Sequence, residues 1–305
     1  LSTNEILTQR PGWRELALRR LLVGIEQGWS PVAEERVADD DEWAVLKLSA
    51  VKRGRFIASE CKALPIDLEP DARLEIRRGD VLLTRANTPE LVGDACFVRD
   101  AARKRMLSDL IYRLRPHGVD GRFLVYALLG DFTRGQITAD ARGSSQSMVK
   151  VSQGHIRSWT IMVPDESEQR RVADYLDQKT ADIDLLIAKK ERLRTLIEER
   201  RQCLVTRAVT KGLAPNAPMM ASGIDWLGEI PRGWSIKRTR HICSRTTGGR
   251  DTQDALDDGP YPFFVRSDTI ERIDTYSFDG EGVLTSGDGA GVGKIFHHHI
   301  GKLEF

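Results

Sequence analysis

Apolar residues between Val172 and Leu204 recur at steps of three, four and seven, and this sets the longest pattern in the chain. Val172, Leu176, Ile183, Leu186, Ile187, Leu193, Leu196, Ile197 and Leu204 form a helical stripe. The run from Asp165 to Lys211 contains no Gly or Pro, and Gly212, Pro215 and Pro218 close it. Asp165 or Ser167 can cap its start, with Glu168 three residues after Asp165 as in a capping box. Seven acids against three bases lie between Asp165 and Asp184, and three against eight between Leu185 and Lys211, a polarity that suits the helix dipole. At 1.5 Å per residue the helix reaches roughly 60–70 Å, and such a rod needs a partner helix to cover its stripe.

Before this rod the pattern changes to short strands with turn punctuation. The piece Glu15–Ile25 reads as a short amphipathic element. Strands are predicted within 43–51, 77–86, 90–98 and 109–116, and a helix over Gly121–Asp131. The stretch Ala141–Pro164 reads as a polar Gly/Ser loop leading to a final strand. Strands mixed with short helices predict an α+β domain rather than alternating βα units.

After the rod the pattern restarts. Pro231-Arg232-Gly233-Trp234 repeats Pro11-Gly12-Trp13 at an offset of 221, and EGVLTSGDGAGVGKIF parallels GDVLLTRANTPELVGDACFV at an offset of 201. A duplication this long exceeds any solenoid repeat and predicts two tandem domains. The domain plan is 1–164, a first domain; 165–212, the helix; 213–222, a linker; and 223–305, a partial second copy that stops halfway through the pattern. That stop, and the lack of an initiator Met, predict a truncated chain or a fragment.

The run VADYLDQKTADIDLLIAKKERL, the terminal LVTRAVTKGL and the following SGIDWLGEIPRGW resemble the central region of specificity subunits of type I restriction–modification systems. The resemblance covers the whole chain in order. It implies two target-recognition domains, each followed by a long helix, the two helices pairing antiparallel as a spacer between readers of a split DNA site. It also implies that chemistry belongs to partners. The modification (methyltransferase) subunits and the restriction or translocase subunit would use S-adenosylmethionine, ATP and magnesium, and this chain would need no cofactor. Double-stranded DNA is the expected ligand, read by Trp13–Pro164 rather than by the rod, and a truncated chain would pair as a homodimer.

The other signals agree with a non-catalytic chain. A mean hydropathy of −0.36 and the absence of a membrane-length apolar run predict a soluble cytoplasmic protein. Four dispersed cysteines show no zinc spacing. Gly287–Lys294 fails the phosphate-loop pattern, because Asp288 stands at the required Gly and Ile295 follows Lys294. His297-His298-His299 places only two imidazoles on one strand face, with no acidic ligand at suitable sequence spacing, so no metal is expected there. Asp94, Asp100 and Asp109 with Lys104 are too loosely spaced for a nuclease set, and no methyltransferase motif is present. The rival to a DNA reader is a coiled-coil scaffold without DNA specificity.

A net charge of +1 leaves room for local basic faces. Lys47–Lys62 holds Lys47, Lys52, Arg53, Arg55 and Lys62, and Arg99–Arg115 holds six bases against Asp100 and Asp109, so both are candidate phosphate contacts. Arg85 and Asn87 are residue types that bond guanine and adenine edges bidentately. Arg142, Ser144, Gln146 and Lys150 form a donor-rich stretch, and Arg266 and Lys294 hold comparable places in the second copy.

Overall fold

The computed structural model describes residues 12–39, 41–100, 104–145, 148–267, 269–286 and 292–305, the side chains of 142–145 excepted. By its contacts the chain divides into two units, Leu1–Thr195 and Leu196–Phe305.

The first unit begins with β1 (Arg14–Ala17) and β2 (Leu22–Gln27), joined through a single 3-10 turn, Leu18–Arg20. The expected amphipathic element over Glu15–Ile25 is therefore strand, turn and strand. Tertiary pairing overrides its local pattern: the Leu18 N–H donates to Trp159 O at 2.8 Å, and β2 joins a sheet. Next come β3 (Ala44–Leu46), the hairpin β4 (Val51–Lys52) and β5 (Arg55–Phe56), and β6 (Cys61–Ala63). β7 (Val81–Thr84), β8 (Ala86–Asn87), β9 (Ala95–Phe97), β10 (Arg105–Met106) and β11 (Ile111–Pro116) complete the strand-rich part.

The central sheet runs β2-β11-β7-β9 and is antiparallel throughout. Val81 and Leu83 face one core, with Leu124, Leu128, Trp159 and Ile161. Leu82 faces a second, with Leu46, Cys61, Cys96 and Ile111. Cores on both faces explain why β7 is an unbroken apolar run rather than an alternating one. One pair is parallel, β3 with β10, so the unit is α+β as expected.

Helix α1 (Gly121–Leu129) matches the predicted helix, and Asp120 caps it by accepting the Arg122 and Phe123 N–H groups. A second helix, α2 (Asp131–Asp140), follows at once and was not predicted. The expected polar loop over Ala141–Pro164 is also structured: β12 (Arg142–Ser145) and β13 (Met148–Lys150) pair, and α3 (Gln153–Ser158) leads to β14 (Thr160–Val163). Ser152 and His155 form the capping box that starts α3. β14 pairs with β1, tying the two ends of this domain together.

The long helix α4 spans Glu166–Lys211, as its composition requires. Asp165 Oδ1 accepts the Glu168 N–H at 3.0 Å, and Gly212 takes a φ of +75° that suits the residue ending a helix. Its first turns are fixed to the domain before it. Buried Gln169 accepts from the Asp120 N–H at 2.8 Å and donates to Pro164 O at 3.0 Å. Ala173 is also buried, and Val172 and Leu176 are half-buried.

A polar clamp follows along the same helix. Arg122 bridges Asp174 at 2.6 Å and Asp177 at 2.9 Å, the Tyr126 hydroxyl donates to Asp177 at 2.8 Å, and Arg99 and Arg55 pair with Asp177 and Asp184. Burial pushes the Asp177 carboxyl up, but hydrogen bonds from Tyr126 and Arg99 outweigh it and hold the group below its usual range. A depressed carboxylate contributes stability above its unfolded value of about 4 and loses it as pH falls through the folded one. Arg122→Ala is expected to speed amide exchange over 169–184 at neutral pH, with the wild type approaching the variant only in acid. Unchanged exchange in the variant would show that Gln169 and Ala173 hold the helix alone.

Among its described residues the second unit contains four small antiparallel pairs: β15 (Met219–Ala221) with β16 (Glu229–Pro231), β17 (Tyr261–Phe263) with β18 (Glu271–Ile273), β19 (Phe278–Asp279) with β22 (Lys302–Leu303), and β20 (Gly282–Thr285) with β21 (Ile295–His298). Part of the expected linker is thus strand, because Met219–Ala221 pairs in register with Glu229–Pro231. Phe263, Ile273 and Leu303 are buried here. Two pairs of positions matched in sequence can be compared in the backbone. β7 ends at Thr84 and β20 at Thr285, and Gly12 and Gly233 both take left-handed φ values, +91° and +95°. Pro11 and residues 287–291 lie outside the described residues.

Candidate nucleic-acid interface

Two surfaces of the first unit gather the predicted donors. The first is the tight hairpin β4–β5. Arg53 at φ +44° and Gly54 at +84° form its two-residue turn, the geometry whose twist suits paired strands. Left-handed φ is unusual for Arg. The turn is held by Asp94: its Oδ2 accepts the Arg53 N–H at 2.7 Å, and the Gly54 N–H donates to Ala95 O at 2.9 Å. Asp94 is itself fixed, its N–H donating to Thr84 Oγ1 at 3.0 Å while that hydroxyl donates to Leu91 O. Burial pushes the Asp94 carboxyl up, opposed by the hydrogen bond from Arg53 and by nearby Arg134. Lys52 and Arg53 are left exposed, with no ion-pair partner among the described residues.

The second surface is the small sheet β8-β13-β12. Its register sets Asn87 opposite Val149, and Lys150 opposite both Ala86 and Arg142. Residues near 86 and near 150 therefore lie side by side, and β12 flanks β13 on its other edge. Arg85 sits at the edge, 6.0 Å from the Tyr112 ring and donating to Asp109 O at 3.4 Å. Burial raises the Tyr112 phenol, with Arg85 opposing. Lys150 is exposed. Asn87 Oδ1 accepts the Thr88 N–H at 2.9 Å, which commits part of the amide to the turn after β8 and weakens the reading of Asn87 as a bidentate adenine contact. Gln146 lies outside the described residues, as do the side chains of Arg142 and Ser144.

Other predicted cations are used internally. Much of the Arg99–Arg115 cluster is committed internally: Arg105 and Arg113 are buried, Arg115 pairs with Glu26 and Asp80, and Arg99 holds the long helix, while Arg103 lies outside the described residues. In the first cluster Arg55 pairs with Asp184, Lys62 with Glu35, and Lys47 is half-buried. In the second unit Lys294 donates to Arg266 O at 3.3 Å, which brings those two positions together. The acids Asp94, Asp100 and Asp109 form no joint cluster among the described residues. The positioning roles of Asp94 and Thr84 were missed, because a lone acid and a strand-end Thr carry no signal in sequence.

No protein-family model matches the chain. It is 30% identical over 169 residues to the type I restriction enzyme EcoEI specificity subunit of Escherichia coli, a match covering 54% of this chain and 28% of that protein. It is 32% identical over 63 residues to the EcoDI specificity subunit of the same organism, covering 21% and 14%. A solved chain from work on complex assembly and conformational transition of the type I R-M system shares the fold at a TM-score of 0.51 and 19% identity, over 84% of this chain and 61% of that one. These matches span well under the full length of the two curated relatives. Over about half of its own length the chain is therefore similar to type I restriction enzyme specificity subunits, and its fold is shared with a solved chain of such a system.

Proposed function

We propose that the first unit reads double-stranded DNA, supplying half of a bipartite site, and that the long helix is the spacer on which modification subunits dock. Catalysis, with S-adenosylmethionine, ATP and magnesium, would belong to those modification subunits and to a restriction or translocase subunit. The chain itself would act without a cofactor, in the cytoplasm; no helix among the described residues is long and apolar enough to cross a membrane.

The observation that carries the reading is the pairing of β8 with β13. It joins the segment Arg85–Asn87 to Lys150 in one small sheet, with Lys150 on the face of Ala86 and Asn87 on the opposite face beside Val149, while Asp94 and Thr84 connect that strand end to the exposed Lys52–Arg53 turn. Cations would contact phosphates and set register, and the sheet would present donors to base edges.

The test is DNA affinity of the full chain against salt, by fluorescence anisotropy. Arg53→Asn keeps the turn, since Asn tolerates left-handed φ, and removes one cation. Combined with Lys52→Ala, it should weaken binding to all sequences alike and lower the slope of log affinity against log salt by about 2. A wild type with no salt-dependent affinity would favour the scaffold, and an unchanged slope would remove the hairpin from the interface.

A further inference from the structure

The second unit carries a cluster that the proposed function does not use. β21 ends at His298, and His299, the next residue, continues its alternation, so His297 and His299 lie on one side. β20 runs antiparallel to it with Gly282 opposite His298, so Glu281, one residue before the strand, falls beside the same face. His297 Nε2 lies 2.8 Å from Glu281 Oε1, and the His297 and His299 rings are 4.1 Å apart, centroid to centroid. One ligand atom from each of the three residues lies within 4.8 Å of the others. His298 is turned elsewhere, its Nε2 against Gly301 O at 3.1 Å. The expectation that no acidic ligand accompanies the histidines is thereby corrected. Glu281 is distant in sequence and is brought near by strand register.

We propose that Glu281, His297 and His299 bind a divalent transition metal of the zinc class. Two imidazole nitrogens and one carboxylate oxygen are the donors such ions take, and alkaline-earth ions prefer all-oxygen sets. Tetrahedral bonds of about 2.0–2.1 Å put ligand atoms about 3.3–3.4 Å apart. Rotation of exposed side chains covers the adjustment from the observed spacing. The Glu281–His297 hydrogen bond gives way, since both atoms become ligands. Three protein ligands leave a coordination position for water, so the site binds more weakly than a closed four-ligand structural site. The ion joins the two ends of the segment 281–299 and clips the β20–β21 hairpin. Binding to the folded form alone stabilises it by mass action.

The experiment titrates ZnCl2 into the full chain, purified without a histidine tag, by isothermal calorimetry, and follows the thermal midpoint in parallel. One Zn2+ per chain is expected in the micromolar range, with a raised midpoint. Glu281→Gln, His297→Gln and His299→Gln should each weaken binding about tenfold or more, the scale seen when a site's supporting groups are lost. His298→Gln should leave affinity within about twofold, because that ring does not face the site. Glu281, His297 and His299 are exposed and His298 is half-buried beside Phe264, so unchanged circular dichroism without metal is required to confirm that each variant folds. No saturable binding below millimolar Zn2+ would overturn the proposal. So would wild-type affinity in both His297→Gln and His299→Gln, which would assign the ion to another group such as the exposed Cys203 or Cys243.

Discussion

Arg113→Ala is expected to destabilise the first unit by about 3–5 kcal/mol, the cost of removing one partner from a buried ion pair. Arg113 lies on β11 with 2% of its side chain exposed, and all its nitrogens are engaged. Nη1 donates to Asp80 Oδ2 at 3.2 Å and to Glu75 O at 2.8 Å, Nη2 to Arg73 O at 2.9 Å, and Nε to Glu26 Oε2 at 2.8 Å. Truncation would leave Asp80, 4% exposed, with only half-exposed Arg115 and the Arg77 N–H, and two carbonyls would lose their donors. Against a typical domain stability of about 5–15 kcal/mol that loss is large. Arg113→Lys should recover part of it, since one ammonium keeps the charge but cannot reproduce the fork.

The same substitution should alter the response to acid. Burial pushes the Glu26 carboxyl up, yet hydrogen bonds from Arg115 and Arg113 prevail and depress it. Its contribution is present above an unfolded value of about 4 and is lost as pH falls through the folded value, so the variant should lose less stability in acid than the wild type. Urea unfolding monitored by tryptophan fluorescence measures both effects. A loss below about 1 kcal/mol at neutral pH would mean that water replaces the guanidinium without penalty.

This network also shows where sequence reasoning stops. Charge counts could not separate Arg113 and Arg105, which are buried, from Lys52 and Arg53, which are exposed, because burial is set by long-range strand pairing. The long helix was legible: its signals are local, a run without Gly or Pro closed by Gly212. Glu15–Ile25 was not, since Leu18 and Leu22 answer to Trp159 and to a sheet rather than to their neighbours. At the candidate interface the residue types of Arg85, Asn87 and Lys150 could be named. That they share one sheet depends on β8 pairing with a strand some sixty positions later, and no period reports that. Glu281 beside His297 is the same case on a smaller scale.

The full chain is expected to self-associate through the long helix. Ile183, Leu186, Leu193, Ile197 and Leu204 are each more than half exposed, whereas Gln169 and Ala173 in the first turns are buried. Leu186 and Leu193, like Ile197 and Leu204, are seven apart, the spacing of a coiled-coil seam, and a stripe of this length exposed to water marks an interaction surface. A second copy running antiparallel would set the acid-rich stretch before Asp184 against the base-rich stretch after it, so charge favours that direction. Light scattering at tens of micromolar should report a dimer. Salt should weaken it only modestly, because screening removes the charge contribution and leaves the apolar seam. Leu186→Asp with Leu193→Asp should cost the single chain little, about 0.5 kcal/mol or less each, as surface changes do. In the pair the same carboxylates would be buried without partners, and dimers should give way to monomers. Co-purification with modification subunits should fall in parallel if they use the same helix. A wild type that stays monomeric would leave the stripe without a role in self-association, and a double variant that stays dimeric would place the contact on another surface.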